Sequence, residues 1–584
     1  MNQLERMSQR VEETAALTLT RRRLLKSMAG AASVAAFSTL LVACGVDDDD
    51  DAEDPSTDPA ATDDDDDADP TDDSDDDPDV LDDEEDTDVD ESDDAEGQMG
   101  GTLRVALDTA PPNVDAQQST AYITRTITSS VVEGLFTLDE EYAVMHQLAD
   151  DYEASEDGLV YHIDLRQGVM FHNGDEMVAE DVVASLERWF EITSPGSAYS
   201  PSIDSISALS DHEVEIEFNE PIGHLVVASL AFSYQAPSIH PKEQIEETGD
   251  DTMRQPIGTG PFMLTEVDLD REIVLERFDD YVGRDEPSDG YGGRKVAYLD
   301  SIVFTPTPEA AVRMSGLEAG DFDFAIALGR DDFQRLEDNP DTAAIVPFQG
   351  STDIGLNNQA GLFADRTIRQ AFQAALNMED ILTAAFSSDQ FFRLDPGIWP
   401  QETVWWTDAG SEYYNQSDPE RAAELLEEAG YDGTPIRWVT TEAGTQGHTI
   451  AVAATPQLEE AGFTVEFDTV DWATLLSRVY EPEEFDCWGT GFSIQPDPTQ
   501  YLIFDCEFAS AWCDDRKDEL FAELQSEVDF DRRYEIWEEL QEYYWTEAPS
   551  VKLGDYFNLH GIRSNVQGYA AMNQMFWYNV WLDE

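Results

Sequence analysis

Basic side chains are scarce in this chain: 32 lysines and arginines stand against 127 aspartates and glutamates, a formal charge of -95 over 584 residues. Only five are lysines, at positions 26, 242, 295, 517 and 552. Without a basic patch to contact phosphates, a nucleic-acid-binding role is excluded. The eight histidines are scattered with no metal-ligand spacing, so a structural zinc, or any other bound metal or cofactor, is not expected. The apolar run 28–43 has about 16 residues, short of the roughly 20 that a membrane span needs. Nucleophile-elbow, P-loop and zincin motifs are missing. Pairs of acids are everywhere, so no glycosidase-like dyad can be picked out.

What is present begins with a leader. Arg21, Arg22 and Arg23, with Lys26 behind, precede that short apolar run, which ends in Leu41-Val42-Ala43-Cys44-Gly45. A basic start, a short apolar span and small residues at the end make a secretory signal. Thr20-Arg21-Arg22-Arg23-Leu24-Leu25-Lys26 resembles a twin-arginine export motif. The ending resembles a lipoprotein processing site, with Cys44 the lipidated first residue, so membrane attachment through a lipid anchor is expected. From 47 to 96 the chain is almost entirely Asp, Glu, Pro, Ser, Thr and Ala. Too little apolar surface is available there to offset chain entropy, so a disordered tether is expected, extended by its own charge. Its reach is at most roughly 170 Å. The acid excess continues beyond it, with 93 acidic and 26 basic residues from Gly97 to Glu584. Such a surface repels itself in dilute buffer and is screened at molar salt, where the Debye length is about 3 Å. The composition resembles that of extreme halophiles, archaeal ones in particular.

The body alternates strand and helix patterns, so an α/β protein is expected. Leu103, Val105 and Leu107 mark a strand, as do Tyr161, Ile163 and Leu165, and Val214, Ile216 and Phe218. Val178, Val182, Val183 and Leu186 recur at helical spacing. Asp365 is placed to cap a helix carrying Ile368, Ala371, Phe372, Ala375 and Leu376 inward. Asp418-Pro419 opens another, with Leu425, Leu426 and Ala429 inward and Gly430 ending it. Phe463, Val465 and Phe467 predict a strand. Tyr534, Trp537, Leu540 and Tyr544 predict a last long helix.

Several motifs occur in a fixed order: a strand ending Leu165-Arg166, then Gly168-Val169-Met170-Phe171-His172-Asn173-Gly174 and Ala179-Glu180-Asp181-Val182-Val183. Ile257-Gly258-Thr259-Gly260-Pro261-Phe262, Ala319-Gly320-Asp321-Phe322-Asp323-Phe324 and Gly355-Leu356-Asn357-Asn358 follow, then Asp418-Pro419-Glu420-Arg421. Together they resemble the signature of family 5 extracellular solute-binding proteins, the dipeptide-, oligopeptide- and nickel-type receptors of ABC importers. The resemblance implies a two-lobed periplasmic-binding-protein-like fold (class II, cluster C type), with a subdomain inserted in lobe I. Behind the leader (1–43) and tether (44–99) read above, it divides the body into lobe I (100–135, 256–349 and a C-terminal return 549–584), insertion (136–255) and lobe II (350–548). It implies a monomeric, non-enzymatic receptor that captures a peptide-like solute, or a metal chelate or sugar, and passes it to ABC permease and ATPase subunits. A surface hydrolase and a sensor without transport stay open as other readings.

For the site, the resemblance places the loop from Trp488 to Pro498 in the cleft, with Ser493, Ile494 and Gln495 lining it. In peptide receptors an aspartate four residues before the position of Pro498 pairs with the ligand's amine; here that position is Ile494. A buried ammonium needs an opposite charge, so ordinary α-amino recognition is not expected unless Asp497 takes over through a reshaped loop. Trp399, Trp405 and Trp406 could wall the ligand, and Gln118, Ser119 and Tyr122 lie near the family's first-lobe cleft segment. Relatives carry a local disulfide where Cys506 and Cys513 stand, which would leave Cys487 unpaired and buried.

Overall fold

The computed structural model describes residues 97–155, 157–223, 229–442 and 445–583. The leader, Cys44 and the acidic segment 47–96 lie outside the described residues.

Two mixed sheets organise the body. The first has seven strands, in the order Thr342–Ile345, His560–Arg563, Phe324–Ala325, Thr102–Leu107, Ser301–Pro306, Glu272–Arg277 and Phe262–Asp268. Leu103, Val105 and Leu107 are buried in its centre with Phe262, Phe304, Phe324 and Trp577. The second has six strands, in the order Phe392–Arg393, Ser550–Phe557, Phe348–Leu356, Cys487–Ser493, Ile436–Thr440 and Val465–Thr469. Helices Arg366–Ala375, Met378–Phe386, Pro419–Ala429 and Gln446–Ala461 contribute to its core. A separate four-stranded antiparallel sheet (Ala149–Ala154, Val160–Leu165, Glu213–Phe218, Ile203–Ser210) packs on the helix Ala179–Ile192 through Tyr161, Ile163, Val182, Leu186 and Trp189.

The elements read from periodicity form for the reasons given. Asp365 caps its helix by accepting the Thr367 N–H, and Asp418 caps the next by accepting from Arg421, with Pro419 in the first turn and Gly430 left-handed at the end. Two details differ. Val178 precedes its helix as the N-cap, where its own N–H donates to Asp181. The strand at 465–469 lies at the sheet edge, so Phe467 is exposed and Phe463 is buried ahead of it.

Two short crossings join the large sheets. Val346-Pro347 links Thr342–Ile345 to Phe348–Leu356, and Asn558-Leu559 links Ser550–Phe557 to His560–Arg563. They run side by side: the Asn558 N–H donates to Pro347 O (3.2 Å) and its side chain donates to Gln349 (2.8 Å). Adjacent strands that change sheet at the same level form a natural hinge. Beyond it the lobes also touch, the Val404 N–H donating to Glu141 O (3.1 Å) and the Tyr234 hydroxyl to Ile494 O (3.3 Å).

Candidate functional site

The seam between the lobes is built from the second sheet upward. Strand Phe348–Leu356 pairs with Cys487–Ser493, and their glycines allow close approach: a Cβ on Gly350 would sit 2.3 Å from Phe492 O, and one on Gly491 2.6 Å from Ser351 O. The chain then leaves the sheet as Ser493-Ile494-Gln495-Pro496-Asp497. Two indoles pin this loop, Trp399 Nε1 donating to Gln495 O and Trp405 Nε1 to Pro496 O, both at 2.9 Å. Asp497 is committed elsewhere, paired with buried Arg533 at 2.7 Å and accepting the Thr499 N–H. The loop is therefore not reshaped to offer Asp497 to an amine.

Ile494 is buried against aromatic side chains. Its cluster contains Tyr142, Tyr291, Phe348, Phe576 and Tyr578, with Phe232 packed on it. Three cavities surround this cluster. The first, about 120 Å³, lies in the first lobe and is lined by Arg125, Glu133, Phe232, Tyr291, Lys295 and Phe576 among others. The second, about 430 Å³, borders the hinge at Val346, Pro347, Phe348 and Phe557. The third, about 20 Å³, is a slot between Ser351, Trp399, Ser493, Ile494, Gln495 and Asp555. Aromatic walls with a few fixed polar groups are the usual make-up of a small-molecule site.

Charge along these cavities is mostly matched. Glu133 accepts from Lys295 (3.1 Å), Tyr281 (3.0 Å), Thr259 (2.9 Å) and Gln147. Thr259 can reach it because Gly258 and Gly260 press on 130–132; a Cβ on Gly258 would sit 2.1 Å from Val131 O. Burial lowers the Lys295 ammonium, and the nearby carboxylate opposes that shift. On the second lobe, Asp555 pairs with Lys552 (2.8 Å) and Arg393 (2.6 Å), while Arg393 is bidentate to Glu402 at 2.8 Å. Burial raises the Asp555 carboxyl to about 6. Beneath it Asp353, fully buried and hydrogen-bonded by Ser351 at 2.7 Å, is raised to about 7.

The residues named from the sequence fall into two groups. Ser493, Ile494, Gln495 and Trp399 come together at the third cavity. The others do not join them. Trp405 packs inside the second lobe beneath Arg533. Trp406 donates to Asp395 at 2.9 Å. Trp488 points to the sheet's other side, among Val439, Leu475, Phe485 and Ala509, because alternate residues of a strand face opposite ways. Gln118 is tied to 250–252 through Asp250 O and Thr252. Ser119 pairs with Thr124 (3.0 Å) and accepts the Ala121 N–H at the start of its helix, and Tyr122 is held by Asp108. The residues of that helix that line the first cavity are Arg125 and Thr128, one and two turns further on.

The aromatic frame was not singled out in advance. Met575-Phe576-Trp577-Tyr578 carried a usable signal: Met575 and Trp577 enter the first-lobe core while Phe576 and Tyr578 face Ile494, an alternation of period two. Cys506 and Cys513 are joined as a disulfide with Cα atoms 4.8 Å apart. Cys487 is buried and unpaired, its thiol pushed well up by desolvation, which removes nucleophilic character. His172 is structural: it accepts the Gly258 N–H at Nδ1 (3.2 Å), and its Nε2 lies 2.9 Å from Gly260 O. Among the described residues no group of three His, Cys, Asp or Glu is placed to hold a metal ion.

The comparisons fit this architecture. The model of the bacterial extracellular solute-binding proteins, family 5, matches residues 143–507. The chain belongs to this family. The probable peptide ABC transporter periplasmic-binding protein y4tO of Sinorhizobium fredii is 27% identical over 475 residues, spanning 78% of this chain and 88% of that one. Di/tripeptide-binding protein 2 of Pseudomonas aeruginosa is 26% identical over 507 residues, spanning 80% and 92%. The fold is shared with the ABC transporter substrate-binding protein CtaP of Listeria monocytogenes (TM-score 0.72, 21% identity, 83% of this chain and 100% of that one). It is shared too with the oligopeptide-binding protein AppA of Bacillus subtilis in complex with a nonapeptide (TM-score 0.65, 24% identity, 84% and 100%). As a family 5 protein the chain is a two-lobed solute-binding protein rather than a member of an enzyme family.

Proposed function

We propose that this protein is the lipid-anchored receptor of an ABC importer, capturing a small peptide-like solute between its lobes and delivering it to a membrane permease. The observation that carries the reading is the paired crossing at 346–347 and 558–559, with cavities gathered beside it and at the seam beyond. A hinge of two strands lets the lobes open to admit a solute and close to exclude water. The groups lining the seam suit binding: aromatic faces, hydroxyls and paired charges.

Anchoring is read from the leader. Cys44 is the lipidated residue after twin-arginine export, and the acidic stretch behind it spaces the body from the membrane. Replacing Cys44 with Ser is expected to release soluble protein from membranes with solute affinity unchanged. A Cys44→Ser protein that stays in the membrane fraction removes the anchor from this account. For capture itself, mass spectrometry of extracts from protein purified in molar KCl should find one small solute at close to one per chain. Catalytic conversion of that solute on prolonged incubation would instead favour a surface hydrolase.

A further inference from the structure

The carboxylates lining the first and third cavities have cationic partners on the protein: Glu133 has Lys295, and Asp555 has Lys552 and Arg393. One cation there does not have the converse. Arg125 lines the first cavity, its Nε donating to Gln574 (2.9 Å) and its Nη1 to the carbonyls of Thr120 (2.8 Å) and Tyr234 (3.2 Å). Its guanidinium lies 4.7 Å from the centre of the Tyr234 ring. Among the described residues it has no ion pair, and its Nη2 has no hydrogen bond. This is conspicuous in a body holding 93 acidic and 26 basic residues, where a carboxylate partner is easily come by. Three neutral acceptors fix the fork's orientation, and the side chain lines the cavity. Desolvation lowers the group to about 10, so it stays charged at neutral pH while lacking a counter-charge. A charge held this way is costly unless an anion meets it in the working state.

The walls around it fit the rest of such a ligand. Phe232, Tyr291 and Phe576 supply apolar faces, Ile494 is buried in the same aromatic cluster, and Glu133, the carboxylate lining this cavity, is already paired with Lys295 and so is not free to receive an ammonium. Resting on the receptor reading above, we infer that the solute is a small organic anion: a carboxylate that Arg125 receives through its Nη2, joined to an apolar or aromatic body and lacking a free ammonium. The Arg–carboxylate contact supplies orientation as well as affinity, because the fork matches the two oxygens.

The test uses N-acetyl-leucyl-phenylalanine, its C-terminal amide, free leucyl-phenylalanine and 3-phenylpropionate, titrated calorimetrically in molar KCl. The acetylated acid is expected to bind at least tenfold tighter than its amide and than the free dipeptide. Arg125→Gln should abolish that preference while leaving the amide's affinity and the melting temperature of the unliganded protein nearly unchanged. Arg125→Lys keeps the charge without the fork and should retain part of the preference; it also serves if the Gln variant fails to fold. The 3-phenylpropionate arm tells a peptide carboxylate from a simpler acid, since binding equal to the acetylated dipeptide means that no peptide bond is read.

Equal binding of acid and amide, preference for the free amine, or an acid affinity indifferent to Arg125 overturns the assignment and leaves the receptor reading standing. If none of the four binds, a broader solute panel decides. A neutral or cationic hit also overturns the assignment, and an anionic hit weakened tenfold by Arg125→Gln supports it. No hit at all fails the receptor reading together with this one.

Discussion

Lys295 and Glu133 show how much a single buried pair carries. Both side chains are almost wholly buried, and the carboxylate collects a lysine, a tyrosine, a threonine and a glutamine. Replacing Lys295 with Met removes one charge and strands the other, which costs about 3–5 kcal/mol in comparable buried pairs. Urea unfolding in molar KCl should show that loss. A change below about 1 kcal/mol would mean that the pair is not dry. At this scale the sequence was legible where local rules apply. The capping aspartates at 365 and 418 are read directly from Asp-x-x patterns and Pro419. The cleft tryptophans were not: whether an indole in an irregular segment meets solute or core depends on partners distant in sequence, such as Arg533 for Trp405. Arg125 was invisible for the same reason, because what distinguishes it is the lack of a partner, and that is a property of the folded surroundings.

At the level of elements, the central strand Phe348–Leu356 and its neighbour Ser550–Phe557 bear opposite duties. They must form the hinge, yet they bury Asp353, Lys552 and Asp555 in one sheet. The Asp353 carboxyl is raised by burial to about 7 from an ordinary value near 4, so the folded state holds a proton that the unfolded chain gives up. Its contribution is thus present below about pH 4 and is lost as pH climbs to about 7. Neutral buried His240 and His560, lowered to about 4, act in the other direction between pH 4 and 6.5, so the whole stability curve does not isolate Asp353. The difference between wild type and Asp353→Asn does. The variant's relative stability should rise between pH 5 and 8, by about 2–4 kcal/mol for a shift of this size. A flat difference would contradict the buried, protonated state. Strand and helix periodicity predicted elements such as Thr102–Leu107, Glu213–Phe218 and Pro419–Ala429, since a buried face repeats at 2 or 3.6 residues, but the two central strands Phe348–Leu356 and Ser550–Phe557 were not read from it. It missed the exposure of Phe467, because periodicity reports a strand's two faces and not its place at a sheet edge.

At the level of the whole molecule, the excess of acid and the two-lobed body are separate properties of one chain. Salt screens the repulsion within so acidic a surface. The sheets, crossings and cavities set what the fold does. The two-lobed plan was implied in advance by the resemblance to family 5, carried by motifs such as Ile257-Gly258-Thr259-Gly260; the structure adds that a Cβ on Gly258 or Gly260 would meet the backbone of 130–132. The ligand could not be read the same way, since aromatic residues from 142, 232, 291, 348, 576 and 578 converge on Ile494 only in three dimensions. A solute enclosed between two lobes binds only the folded receptor, so it must raise the receptor's stability by mass action, about 2.7 kcal/mol at a hundred times Kd. The most direct measurement is the melting temperature of the body in molar KCl against small extracellular solutes: peptides, N-blocked peptides, organic acids, sugars and metal chelates. The account predicts a saturable upward shift of several degrees with one chemical class and none with the others; no shift with any of them would contradict it.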